Sequence, residues 1–112
     1  MKTPREQAKV KDLARRYKTT IEFIDSLWAT QKGQCAICSK LLSLLDIKDI
    51  HLDHCHRKLF VRGFLCRACN HGLGNFKDSI GNLGNAIMYL RQRRIPYRRK
   101  GEKYPDVREL SA

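Results

Sequence analysis

The sequence predicts a small α+β fold stapled by a metal site, on three observations. Apolar residues recur at helical spacing at both ends of the chain, and a strand-like stretch runs from His51 to Leu65 between them. Four of the five cysteines form two CxxC pairs, Cys35/Cys38 and Cys66/Cys69. The chain has 112 residues, too few for a large core, and domains of that size are commonly held by metals or disulfides.

Thr3-Pro4 reads as an N-cap followed by a helix-starting proline. From Pro4 to about Tyr17, Val10, Leu13, Ala14 and Tyr17 share one face, and Lys9, Lys11, Arg15, Arg16 and Lys18 cover the rest. That basic surface suits either solvent or phosphate. Thr19-Thr20 can cap a second helix with Ile21, Phe23, Ile24, Leu27 and Trp28 as its apolar side, ending near Gly33 in a left-handed turn. Residues 39–50 are rich in leucine and fit either a short helix or a loop over the core. His51 to His56 reads as a strand, Arg57-Lys58 as a turn and Leu59 to Leu65 as the returning strand, with a bulge or close approach at Gly63. A helix is expected from Asn70. A last one, capped by Asp78-Ser79 and carrying Ile80, Leu83, Ile87 and Leu90, should end before Pro96. Residues 91–103 form a basic tail. The resulting division is a basic N-terminal helix (1–18), a metal-stapled domain (19–95) and a basic tail (96–112).

Lys plus Arg is 23 against 11 for Asp plus Glu, a net charge of +12, which points to an anionic partner, nucleic acid first. The first residues are charged and carry no apolar signal segment, and no apolar run reaches membrane-spanning length. The expected setting is therefore the cytoplasm, where thiols stay reduced and paired CxxC motifs bind metal.

Cys35, Cys38, Cys66 and Cys69 give a CxxC-x27-CxxC pattern. Two residues between cysteines let both thiolates face one ion, and two such pairs complete a closed tetrahedral Zn2+ shell with no position left for water. Disulfides or a redox pair are the alternatives. Cys55, between His54 and His56, is expected to be a small buried apolar residue.

Asp53, His54 and His56 fall within four residues, and Asn70 directly follows Cys69. Strand alternation alone does not gather them, so a bend or a third element is required. Asp53 and Asn70 are oxygen ligands suited to Mg2+, and a histidine near its ordinary pKa can take a proton from water. Together they suit phosphodiester hydrolysis. A His-rich stretch that binds zinc, or that is satisfied by hydrogen bonds, is the plainer reading. His51 and His71 read as strand and surface residues.

The motifs Gln31-Lys-Gly-Gln-Cys-Ala-Ile-Cys38, Leu52-Asp-His-Cys-His56, Val61-Arg-Gly-Phe-Leu-Cys-Arg-Ala-Cys-Asn70, Gly72-Leu-Gly74, Phe76-Lys-Asp78 and Tyr89-Leu90 resemble the phage recombination endonuclease VII family, a branch of the HNH or ββα-metal nucleases. The resemblance runs from about Tyr17 to Arg94. It implies a ββα-metal (His-Me finger) core with flanking N- and C-terminal helices. It implies that Asp53 and Asn70 hold a catalytic Mg2+ or Mn2+, that His54 is the general base and that His56 assists at the metal or the scissile phosphate. The four cysteines match the structural zinc ligands. Arg62 is a candidate phosphate contact, and Arg91, Arg93 and Arg94 of the basic tail are candidate DNA contacts. An acidic residue that some members carry three positions after the asparagine is Leu73 here. The implied activity is endonucleolytic cleavage of duplex or branched DNA, leaving 5′-phosphate and 3′-hydroxyl ends, by a monomer or a homodimer. A non-catalytic zinc-knuckle DNA-binding module is the alternative from another class.

Overall fold

A computed structural model describes residues 2–55, 57, 59–92, 100, 101 and 103; His56, Arg93 and Arg94 lie outside the described residues. The fold is a small α+β arrangement in the order α1 (Pro4–Arg16), α2 (Ile21–Thr30), β1 (His51–Cys55), β2 (Phe60–Leu65), α3 (Arg67–Asn75) and α4 (Ile80–Gln92). The described residues fall into two compact units, one up to Asn75 and one from Phe76 onward.

Both N-terminal helices start where their caps predict. Thr3 Oγ1 accepts from the Glu6 N–H and the Glu6 carboxylate accepts from the Thr3 N–H, a reciprocal capping box with Pro4 at the first helical position. Thr20 Oγ1 accepts from the Phe23 N–H to open α2. α2 ends through Lys32 and Gly33, both in the left-handed region, and the Gly33 N–H donates to the Trp28 carbonyl. A Cβ on Gly33 would stand 3.3 Å from the Trp28 ring, so glycine both makes the turn and leaves room for the indole.

Val10, Leu13 and Ala14 of α1 are buried, as their spacing predicts. They meet Ile24, Leu44, Ile50, Leu52 and Phe64 in the main core, with Trp28 packed edge-on against Phe64 at 5.1 Å. Only part of the expected α2 face is covered. Ile24 is buried and Leu27 and Trp28 partly so, whereas Ile21 and Phe23 are exposed. Residues 39–50 are a loop of turns rather than a helix, and they reach the core through Leu44 and Ile50.

β1 and β2 form an antiparallel pair. Neighbouring residues Phe64 and Leu65 point to opposite faces and are both buried. Phe64 joins the main core, and Leu65 joins a second cluster with Cys35 and Cys66, packed by Leu42, Cys69 and Leu73. The C-terminal end of β2 is thus covered on both faces, with the cysteines on one side. α3 packs on β1.

α3 starts three residues earlier than Asn70. Its first N–H, from Arg67, donates to the Asp49 carboxylate, a cap supplied from 18 residues upstream. In α4, Ser79 Oγ accepts from the Asn82 N–H, as the expected cap. The helix has no buried residue, and Ile80, Ile87 and Leu90 are exposed.

Candidate metal centre and active site

The two cysteine pairs converge. The sulfurs of Cys35, Cys38, Cys66 and Cys69 all lie within 4.8 Å of one another, and all five cysteines are free thiols, which removes the disulfide alternative. The first pair sits in a tight loop. Gln34 bridges Leu41, the Cys35 N–H donates to the Lys40 carbonyl, and Ser39 takes the left-handed conformation that turns the chain back. The second pair straddles the end of β2 and the first turn of α3, where the Cys69 N–H donates to the Cys66 sulfur.

The Cys38 and Cys66 sulfurs are 3.7 Å apart. Zinc–sulfur bonds of about 2.3 Å give a tetrahedron with sulfur–sulfur edges of about 3.8 Å, so the donor set fits a structural metal such as zinc. The electrostatics agree. Burial pushes the Cys35 thiol up, but the backbone N–H groups of Cys38, Cys66 and Ile37 outweigh it and bring Cys35 down to about 6. Burial, then hydrogen bonding among the sulfurs, pushes Cys69 up to about 12. Without a cation the cluster favours a thiolate at Cys35 and resists one at Cys69. A divalent ion removes that conflict, and its binding becomes folding free energy.

The strand pair carries the second constellation. Its register runs His51↔Leu65, Leu52↔Phe64 and Asp53↔Gly63, then shifts to His54↔Val61 and Cys55↔Phe60, so Arg62 is an extra, bulged residue between two regular segments. The bulge lies opposite the step from Asp53 to His54. Arg62 Nε donates to Asp53 Oδ2 at 2.6 Å and Nη2 to Oδ1 at 3.3 Å. His54 Nδ1 lies 3.1 Å from the Leu52 carbonyl, and its ring packs against Tyr17 at 4.9 Å. A carbonyl can only accept, so Nδ1 is the donor in this contact. Asn70 lies in the first turn of α3, half-buried, directly behind Cys69, with its N–H donating to the Cys66 carbonyl. Leu73 packs on the cysteine side of the core.

The motif reading assigns no role to two supporting residues. The Gln31 side chain completes the edge of β2: Oε1 accepts from the Phe64 N–H at 2.8 Å, and Nε2 donates to the carbonyls of Phe64 (2.9 Å) and Gln34 (2.8 Å). A Cβ at position 63 would come within 2.9 Å of Gln31 Oε1, which explains Gly63. Asp49, besides capping α3, holds Lys40 of the first cysteine loop. Neither has a sequence-local signature, because each acts on residues far along the chain.

The remaining candidates separate. Cys55 is half-buried rather than buried and stands apart from the four-sulfur cluster. With Arg16, Tyr17, Lys18, Leu59, Phe60 and Val61 it lines a cavity of about 300 Å3 beside His54. His51 is half-buried at the start of β1, and His71 is exposed on α3. Arg91 is exposed in the last turn of α4. Among the described residues, no helix is long and apolar enough to cross a membrane.

Comparison with known proteins identifies relatives and a family. The Gene 59 protein of Mycobacterium phage D29 is 38% identical over 77 residues, covering 68% of this chain and 46% of that protein. The Gene 59 protein of Mycobacterium phage L5 is 37% identical over 65 residues, covering 57% and 38% respectively. The chain therefore spans less than half the length of either relative. No solved structure matches it. The family profile described as recombination endonuclease VII matches residues 10–92, a span that includes both cysteine pairs, the bulged strand pair and Asn70, and the chain belongs to that family.

Proposed function

We propose that this chain is a metal-dependent DNA endonuclease whose ββα-metal core is built from β1, β2 and α3. The observation that supports this most is the bulge opposite Asp53 and His54, which brings Arg62 onto the Asp53 carboxylate, while the next residue in β1, His54, is held at Nδ1 by the Leu52 carbonyl. Asp53 and Asn70 would hold the ion, since both offer hard oxygen donors, and the elements that carry them pack together. When bound, Mg2+ or Mn2+ would supply charge neutralisation at the phosphate and at the leaving 3′ oxygen.

The other steps fall to the protein. The Leu52 carbonyl holds the His54 ring through Nδ1, and Nε2 accepts the proton of the attacking water. Tyr17 limits ring rotation from the other side. Arg62 lies close enough to Asp53 to meet a phosphate at the same site. His56 would assist at the scissile phosphate, and Arg91, Arg93 and Arg94 would hold the backbone further out. Attack opposite the 3′ oxygen leaves a 5′-phosphate and a 3′-hydroxyl. The net charge of +12 favours DNA affinity that weakens steeply with salt. The four-cysteine site is scaffold in this scheme and takes no part in the chemistry.

The test uses zinc-loaded protein on supercoiled plasmid and on a four-way junction, with and without Mg2+, alongside His54→Ala. Loss of a general base lowers rates by about 10²- to 10⁴-fold, and that loss with DNA affinity retained is the expected result. Junction cleavage above matched linear duplex would assign a branch nuclease, and plasmid nicking without that preference a duplex nickase. Tight binding with no cleavage of any substrate would overturn the proposal in favour of a non-catalytic binding module.

A further inference from the structure

We propose that Arg62 is a latch on the Asp53 carboxylate: its guanidinium occupies both carboxylate oxygens until a divalent ion and a phosphodiester together displace it. The inference rests on reading Asp53 as an ion ligand. It deepens that reading by giving the site an order of assembly.

The geometry is specific. In an unbroken ladder with Asp53 opposite Gly63, residue 62 would pair with His54 and point to the face opposite Asp53. The bulge makes Arg62 the extra residue and frees it from that alternation. Its side chain then reaches Asp53 with two donors, Nε at 2.6 Å and Nη2 at 3.3 Å, one on each oxygen. This is the forked arginine–carboxylate pairing, which lysine cannot reproduce. The Asp53 side chain is only 12% exposed and that of Arg62 35%, so water competes weakly for the carboxylate.

An oxygen-seeking ion must take at least one of those oxygens. Two cations on one carboxylate repel each other, so ion binding works against the latch. A guanidinium released in this half-buried place needs another anion, and the scissile phosphate brings one to the same spot. Ion and DNA therefore bind cooperatively, and the coupling is reciprocal: DNA raises ion affinity by the factor by which the ion raises DNA affinity. Without DNA, the fraction of molecules with an open carboxylate sets the apparent ion affinity. The latch also keeps Asp53 in one orientation while it waits.

The probe is Mn2+ alone, followed by electron paramagnetic resonance, on zinc-loaded full chain without DNA. Proteins compared are wild type, Arg62→Gln, Arg62→Lys and Asp53→Asn, each checked for fold by circular dichroism. A charge-assisted pair of this kind corresponds to about tenfold in affinity, so Arg62→Gln should bind Mn2+ about tenfold more tightly than wild type. Arg62→Lys should fall between the two, because it keeps the charge and loses the fork. Adding DNA in a His54→Ala background should narrow the gap, since phosphate then relieves the wild-type latch.

Equal or weaker Mn2+ binding by folded Arg62→Gln, with Asp53→Asn abolishing binding, would overturn the latch and leave the ion-ligand reading of Asp53 standing. Mn2+ binding indifferent to Asp53→Asn, or no binding by any of the four proteins, would overturn both.

Discussion

Gln31 does by side chain what a neighbouring strand would do by backbone. Its amide takes the Phe64 N–H and gives its own N–H groups to two carbonyls, and so joins the end of α2 to the buried end of β2. Replacing it with alanine leaves the Phe64 amide, on a residue with 0% exposure, without a partner. Gln31→Ala should therefore lose about 2 kcal/mol of stability in urea unfolding at fixed zinc concentration, because an orphaned buried donor costs its full desolvation. Residue-level legibility was uneven. Cys35, Cys38, Cys66 and Cys69 were readable because metal ligation constrains local spacing. Asp53, His54 and Asn70 stood out by chemical type. Gln31, Asp49 and the pairing of Arg62 with Asp53 were not readable, because each depends on which distant segment the fold brings near.

Among the elements, α1 and α2 were legible from caps and periodicity, and their starts fall at Thr3 and Thr20 as expected. The strand pair was legible in outline; its bulge was expected around Gly63 and falls beside it, at Arg62. α3 was misplaced because its cap is remote. The Asp49 carboxylate is held below the usual carboxylate range, first by Lys40 and then by the Arg67 N–H. Its folded form thus binds a proton less readily than the unfolded chain. The stability it contributes is fully present above the ordinary aspartate value near pH ~4 and is lost as pH falls through the lower folded value. Wild type should lose more stability than Asp49→Asn between about pH 5 and pH 3, measured as the difference between the two in urea unfolding. Parallel acid curves would show that the Lys40–Asp49–Arg67 link carries no charge-dependent stability. α4 shows the limit of periodicity: the spacing of Ile80, Leu83, Ile87 and Leu90 predicts a helix and one is present, but it does not predict that Ile80, Ile87 and Leu90 are exposed.

For the molecule as a whole, the proposed function divides the work between the two constellations. The cysteine site ties the loop after α2 to the junction of β2 and α3, and the core beside it is small: Cys35, Leu65 and Cys66 are its buried members. With so little apolar surface there, the ion's binding free energy supplies stability that packing does not. Under the proposed function, zinc places Asn70 and the second ion does the chemistry. The sequence suggests this division by chemical type, because four thiolates close a shell while a carboxylate and an amide leave one open.

The most direct measurement of that division strips the protein of all metal, adds back zinc and magnesium separately and together, and records circular dichroism and plasmid cleavage on the same samples. Zinc alone is predicted to restore the fold without cleavage, magnesium alone to restore neither, and both together to restore cleavage. Cleavage with zinc alone, or a fold recovered with magnesium alone, would contradict it.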